Sequence, residues 1–95
     1  MSLTSHAAVS TERPSRYLKQ LCKHFDHKAE STFDDAQGRT VFEFGVCDFR
    51  AQEGELLLDL SATDTEKLDQ LEFVVGDHLQ RFGQKEELSV EWTRS

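Results

Sequence analysis

Cysteine and proline are scarce in this chain of 95 residues, which contains two cysteines and one proline. Cys22 and Cys47 are too few for a disulfide framework, and their separation does not match the CxxC spacing of a zinc ribbon or a thioredoxin-like redox site. The sequence also contains no GxGxxG segment and no P-loop. It therefore excludes a disulfide-stapled scaffold and carries no fingerprint of a nucleotide-binding enzyme.

Long apolar runs are lacking as well. No stretch approaches the roughly 20 residues that a membrane-spanning helix needs, and the N-terminal segment 1–6 lacks the basic start and apolar stretch of a signal peptide. Hydrophobic residues make up 37% and charged residues 31% of the chain, as is usual for a folded domain. We therefore expect a single domain over residues 1–95, located in the cytoplasm, with no membrane partner.

Positive charge is in short supply, and it is concentrated near the N-terminus. The formal net charge is −7. Residues 1–28 carry five basic and two acidic residues, whereas residues 29–95 carry six basic and 16 acidic residues. Because an acidic body repels phosphate backbones, we do not expect a nucleic-acid partner. An anionic ligand would have to approach the N-terminal part of the chain.

The hydrophobic pattern predicts two helices that are each apolar on one side. The first begins near Pro14, which suits a first helical turn, and runs to about Phe25. Its apolar stripe consists of Tyr17, Leu18, Leu21, Cys22 and Phe25. The second helix follows the capping-box sequence Thr63-Asp64-Thr65-Glu66 and ends near Gly83.

Alternation of apolar and polar residues predicts the strands. A weak first strand covers residues 7–10, four strand-like runs lie between the helices, and a last strand follows from the alternation of Leu88, Val90 and Trp92. The middle runs are joined by hairpin-length turns, which indicates antiparallel pairing. The predicted fold class is α+β, a two-layer sandwich of β-α-β-β-β-α-β order with a mainly antiparallel sheet and both helices on one face.

Three blocks of the sequence form a pattern that covers nearly the whole chain. They are Ser15–Phe25 with His27-Lys28, the run Phe42–Cys47, and Leu71–Phe82 with Glu86-Glu87-Leu88. With these blocks the chain resembles the bacterial domain-of-unknown-function family numbered 2218. The resemblance implies a small stand-alone bacterial domain, found in some cases in settings concerned with iron and siderophores. It implies no activity and no catalytic residues.

One face of the first helix carries its cations. Arg16, Lys19, Lys23 and His27 recur at i, i+3, i+7 and i+11, and His24 lies beside the end of this row. Arginine can bind a carboxylate or phosphate through two hydrogen bonds, and lysine adds a mobile point charge. These five residues are therefore the predicted site for an anionic small molecule or protein partner. The simpler interpretation is a solvated helix face that balances the acidic body.

His24, His78 and Cys47 form a second candidate site. If the two helices lie side by side, these residues could converge, and imidazole and thiolate ligands suit Zn²⁺ or Fe²⁺. A cysteine–histidine pair could instead supply a nucleophile. The simpler interpretation is a packing histidine and a small apolar cysteine. No cofactor is required by the sequence, and whether the chain is an enzyme stays open.

Phe73 is the predicted interface residue. It lies nearly opposite the apolar stripe of the second helix, next to acidic residues and Gly76. A solvent-facing phenylalanine beside a glycine indicates contact with a partner, such as a second copy in a homodimer, although single exposed aromatics are common. Three functions therefore stay open: a binding or accessory domain for an anionic ligand, a small enzyme or metal-binding protein, and a dimeric interaction module.

Overall fold

The chain folds as a two-layer α+β sandwich in the computed structural model, which describes residues 3–27 and 29–94. Its elements are, in chain order, β1 (Leu3–Ser10), α1 (Pro14–Phe25), β2 (Glu30–Phe33), β3 (Gln37–Phe42), β4 (Gly45–Gln52), β5 (Glu55–Ala62), α2 (Thr65–Phe82), a 3-10 turn (Gln84–Glu86) and β6 (Thr93–Arg94). The predicted fold class is confirmed. Each of the four strand-like runs between the helices forms a strand, one more than the predicted order counted. Lys28, one of the N-terminal cations, lies outside the described residues.

The strands form one antiparallel sheet in the order β2-β3-β4-β5-β1-β6. Consecutive hairpins join β2 to β5, while α1 carries the chain from β1 across the sheet to its far edge. β1 pairs with β5 from Leu3 opposite Ala62 to Ser10 opposite Glu55. The first strand is therefore longer than its weak sequence signal predicts, because a neighbouring strand supplies hydrogen bonds along all of it.

The two faces of the sheet differ because side chains alternate along each strand. One face turns Val9, Phe49 and Leu58 toward the helices, where they are buried. The opposite face carries charged residues such as Arg39 and Asp59, which are exposed. The helices thus cover one face only, as the one-sided patterns of α1 and α2 require.

The core joins the apolar stripe of α1 to the inner sheet face and to α2. The predicted stripe of α1 is buried throughout, and the buried residues of α2 are Leu68, Leu71, Val75, Gly76 and Leu79. Full burial of one such leucine stabilises the fold by roughly 1.5–3 kcal/mol relative to exposure. Packing in the core therefore explains the apolar half of the α1 pattern without any functional role.

The chain after α2 differs most from the prediction. Strand pairing is confined to Thr93–Arg94, because Trp92 packs on Gly76 of α2 and does not extend the sheet. Arg94 is bound by the carboxylates of Glu72 and Asp69 on α2. These contacts tie the C-terminal segment to the second helix.

The start of α2 lies one residue later than the capping box predicts. Asp64 is the N-cap, and its side chain accepts a hydrogen bond of 2.8 Å from the Lys67 backbone N–H. Gly83 is the C-cap, as predicted.

Neither of the two described α-helices is long and apolar enough to cross a membrane.

Candidate functional site

An open cavity of about 500 Å³ lies where the end of α1, the middle of α2 and the β3–β4 turn meet. It is lined by His24, Phe25, His27, Phe42, Glu43, Phe44, Gln70, Val74 and His78. A mostly apolar lining with a few polar groups is typical of small-molecule sites, and the volume lies within their usual range. The cavity is therefore the candidate functional site, and it contains His24, His27 and His78 from the sequence prediction.

The end of α1 brings two histidines to this cavity. The buried Phe25 turns the apolar stripe toward the sheet, so that the adjacent His24 projects sideways toward α2. The helix ends at Phe25, and the backbone N–H of His27 then donates a 3.4 Å hydrogen bond to the His24 carbonyl. This tight turn keeps His27 next to His24 at the cavity wall.

His78 is held by its own helix. Its Nδ1 lies 2.6 Å from the carbonyl oxygen of Val74, one turn earlier in α2. Because a carbonyl only accepts hydrogen bonds, Nδ1 must be the donor, and in the neutral ring Nε2 is then the unprotonated nitrogen. The hydrogen bond therefore sets both the tautomer and the orientation of the imidazole.

Aromatic rings form a continuous cluster around the histidines. The ring centres of His24 and His78 are 4.7 Å apart, with planes inclined at 44°. Phe25 contacts His78 edge-on at 5.2 Å and Phe42 at 5.1 Å, and Phe42 stacks on Phe44 at 5.0 Å with nearly parallel planes. Such ring pairs contribute about 0.5–1.5 kcal/mol each beyond their burial. The cluster thus connects α1, α2 and the β3–β4 turn.

Phe42, Glu43 and Phe44, like Gln70 and Val74, are site residues that the sequence prediction missed. They were recognised only as part of a strand and of the family pattern. Two phenylalanines flank Glu43 at the β3–β4 turn, and both are half-buried at the cavity. The available signal was a pair of aromatic residues two positions apart directly before Gly45, at a hairpin.

The fold divides the predicted cationic row. Lys19 Nζ lies 2.5 Å from a carboxylate oxygen of Asp35, in the β2–β3 turn. Arg16 and Lys23 are exposed, and of this row only His27 lines the cavity. The row of cations therefore does not form one continuous surface around the cavity.

The two cysteines lie in the core and do not line the cavity. Burial raises the pKa of the Cys22 thiol to about 11 and holds the pKa of the Cys47 thiol well above its ordinary value. A thiol that stays protonated at neutral pH is a poor nucleophile and a poor metal ligand. Within residues 3–27 and 29–94, no three His, Cys, Asp or Glu side chains are grouped so that they could hold a metal ion. The structure thus brings His24 and His78 together without Cys47.

Phe73 is exposed, with 71% of its surface accessible. Gly76, one turn later in α2, is buried beneath the indole of Trp92. The glycine therefore has an internal partner, while the phenylalanine lacks cover within the described part of the chain.

A larger hollow of about 700 Å³ lies on the outer sheet face and is lined mostly by polar residues. Arg39 and Asp48 in this hollow bind each other, with 2.6 Å between Nε and Oδ1. Because two of its charges are already paired and its surface is mostly polar, we assign the candidate site to the aromatic cavity.

Comparison with known proteins points to bacteria. Residues 6–93 match the family described as "Uncharacterized protein conserved in bacteria (DUF2218)". The NMR structure of PA4090 from Pseudomonas aeruginosa is similar to this chain, with 34% sequence identity and a TM-score of 0.81 over 96% of this chain and 95% of that chain. No curated protein matches the sequence.

Proposed function

We propose that this chain, which belongs to the DUF2218 family of uncharacterised bacterial proteins, is a small binding or accessory domain for an organic anion. The ligand places its apolar part in the aromatic cavity and its acidic group against the end of α1. The aromatic cavity beside His24 and His27 is the observation that supports this proposal.

The β3–β4 turn provides apolar contacts for the ligand. Phe42 and Phe44 are stacked on each other and only half-buried. Val74 lines the cavity as well. A flat ring that covers these side chains removes apolar surface from water, which is worth about 25 cal/mol per Å².

The basic residues at the end of α1 favour an acidic group on the ligand. His24 and Lys23 occupy the last turn of the helix, and His27 follows directly after it, although of these three only His24 and His27 line the cavity. Imidazole and ammonium groups donate strong hydrogen bonds to a carboxylate or phosphate. Glu43, which also lines the cavity, repels an anion and so favours a position of the acidic group next to the histidines.

The helix dipole opposes this arrangement in part. The C-terminal end of a helix carries partial negative charge, which favours the cations there but weakens the attraction for an anion. We therefore expect an affinity that depends on the apolar contacts as much as on charge.

A titration followed by amide NMR tests the proposal. The ligands are three compounds with the same bicyclic aromatic ring, bearing a carboxylate, a hydroxymethyl or a trimethylammonium group, together with carboxylate-containing iron chelates. We expect saturable shifts in residues 23–27 and 42–44, with the carboxylate binding more tightly than its neutral and cationic counterparts.

Matched variants locate the binding site. Phe44→Ala and His27→Ala should each weaken carboxylate binding several-fold, whereas Phe33→Ala, at the edge strand β2, should leave it unchanged. Arg16→Ala tests the extended helix face of the sequence prediction. A featureless titration, equal affinity for all three head groups, or an effect of Arg16→Ala as large as that of His27→Ala would contradict the proposal.

A further inference from the structure

The close approach of His24 and His78 supports an inference that does not depend on whether the protein binds an organic anion. We propose that His24 and His78 bind one divalent transition-metal ion, of the class that prefers imidazole ligands such as Zn²⁺, between the end of α1 and the C-terminal half of α2. The two side chains come from different helices, so the ion would bridge them.

The separation of the rings suits a shared ion. Metal–nitrogen distances are about 2.0–2.1 Å, so two imidazoles on one ion place their ring centres roughly 5 Å apart. The observed separation of the His24 and His78 ring centres is 4.7 Å. Binding of one ion by both side chains requires a ring nitrogen of His24 to point toward the same position as Nε2 of His78.

His78 already has the orientation and tautomer of a metal ligand. Histidines that bind metals almost always donate the other ring N–H to a carbonyl or carboxylate, which fixes the ring and raises the basicity of the ligating nitrogen. The hydrogen bond from Nδ1 to the Val74 carbonyl supplies this contact. It leaves Nε2 as the nitrogen that carries the lone pair in the neutral ring.

The site would provide two protein ligands and leave the other positions open. No third His, Cys, Asp or Glu joins the pair to form a ligand group in the described ranges. Cys47, the third residue of the sequence hypothesis, is fully buried and outside the cavity. Because the cavity is open to solvent, water or an anion would complete the coordination shell.

Calorimetric titration of the full chain with zinc chloride tests the site. We expect one ion per chain, and at least a tenfold loss of affinity in each of His24→Gln and His78→Gln. His6→Gln is the matched control, because His6 is exposed on β1, opposite Asp59 of β5 in the strand register, and does not line the aromatic cavity. This variant should bind zinc like the parent protein.

NMR of the imidazole nitrogens in the unaltered protein gives a readout that does not depend on whether a variant folds. Zinc should shift Nε2 of His78, while Nδ1 keeps its proton and its bond to Val74. The proposal is overturned if zinc shows no saturable binding, if Nε2 of His78 does not respond, or if His6→Gln loses as much affinity as His24→Gln. Failure of this test leaves the head-group comparison of the organic-anion titration unaffected, since its three bicyclic compounds contain no metal.

Discussion

Both cysteine thiols lie in the apolar layer between α1 and the sheet. Cys22 and Cys47 are fully buried, and burial is the first cause of the raised pKa of each thiol. The hydroxyl of Thr40 approaches Cys22 Sγ at 4.0 Å but does not offset this effect. The sulfur atoms therefore behave as apolar packing groups in the folded protein.

We expect neither thiol to react with an aromatic disulfide reagent in the native protein at about pH 8, and both to react after unfolding in urea. The physical reason is that access and thiolate formation are both suppressed by burial. Absorbance of the released thiolate measures the reaction. Rapid release of one equivalent of thiolate from the native protein would contradict this prediction and would make a cysteine a candidate nucleophile again.

Gly45 and Gly76 differ in the space that is available for a side chain at their positions. Gly45 has φ of +151°, and a Cβ there would lie 2.4 Å from the Ser61 carbonyl oxygen and 2.5 Å from Leu71 Cδ1. At Gly76, in the middle of α2, the nearest atom to an added Cβ is Trp92 Nε1 at an ordinary contact distance of 3.4 Å.

We therefore predict opposite effects on stability. Gly45→Ala should lower the free energy of unfolding by about 2–4 kcal/mol, because a strained backbone and a steric clash combine. Gly76→Ala should raise it by about 0.5–1 kcal/mol, since alanine favours the helix interior. Urea unfolding followed by circular dichroism measures both. Similar losses for the two variants would show that Trp92 does not tolerate the methyl group.

At the scale of elements, Glu86 joins the 3-10 turn to the start of α1. Its carboxylate accepts hydrogen bonds from the Thr11 hydroxyl and the Glu12 backbone N–H, each at 3.0 Å. Hydrogen bonding with Tyr17 is the largest cause that lowers the pKa of Glu86, and the same contact raises the pKa of Tyr17. Local sequence patterns do not indicate this contact, because it joins opposite ends of the chain.

The lowered pKa of Glu86 sets the direction of a pH effect. A carboxyl group whose pKa is depressed on folding stabilises the native state above its unfolded pKa, ordinarily near 4.5, and loses that contribution as pH falls through the folded value. We expect Glu86→Gln to lower the melting temperature at pH 7. The difference from the parent protein should shrink as the pH is lowered below 4.5.

Thermal unfolding across this pH range measures the effect. Glu87→Gln is the control, because Glu87 is the exposed neighbour and carries the same charge. The assignment fails if both variants lose the same stability, or if the Glu86→Gln difference is unchanged in acid.

At the scale of the whole molecule, Phe73 and the uncovered sheet face are the surfaces available to a second copy. Phe73 is 71% exposed, and on the sheet face Val41 is 44% exposed. Exposed apolar side chains of this kind favour association when they are buried in a shared interface. The predicted interface role of Phe73 is open to a direct test.

We expect concentration-dependent self-association that Phe73→Ser weakens, because serine removes the apolar surface from the interface. Sedimentation velocity over a wide concentration range measures the effect. Val41→Ser is the matched variant on the sheet face, and a larger effect of this change would move the interface there. A monomer mass at every concentration would argue against a homodimer.

Much of the fold follows from local pattern. The stripe from Tyr17 to Phe25 predicts α1 correctly because a helix brings i, i+3 and i+4 neighbours onto one side wherever it lies. The last strand was predicted less well, since the alternation of Leu88–Trp92 is equally satisfied by packing against α2. A pattern of burial therefore indicates that a residue is covered, without indicating by which element.

The candidate site was predicted only in part for the same reason. His24, His27 and His78 were recognised as chemically suitable residues, but Phe42 and Phe44 were not, because their role depends on where the β3–β4 turn lies. Lys19 was predicted as part of the anion site, although the β2–β3 turn brings Asp35 to it.

The two helices, most of the strands, the α1 stripe and the charge imbalance follow from local sequence, since they depend on periodicity and composition over short stretches. The contact of His24 with His78, the position of Cys47 outside the cavity and the pairing of Lys19 follow only from the fold, because these features join elements far apart in the chain. They are set by the order β2-β3-β4-β5-β1-β6 and by the packing of both helices on one sheet face.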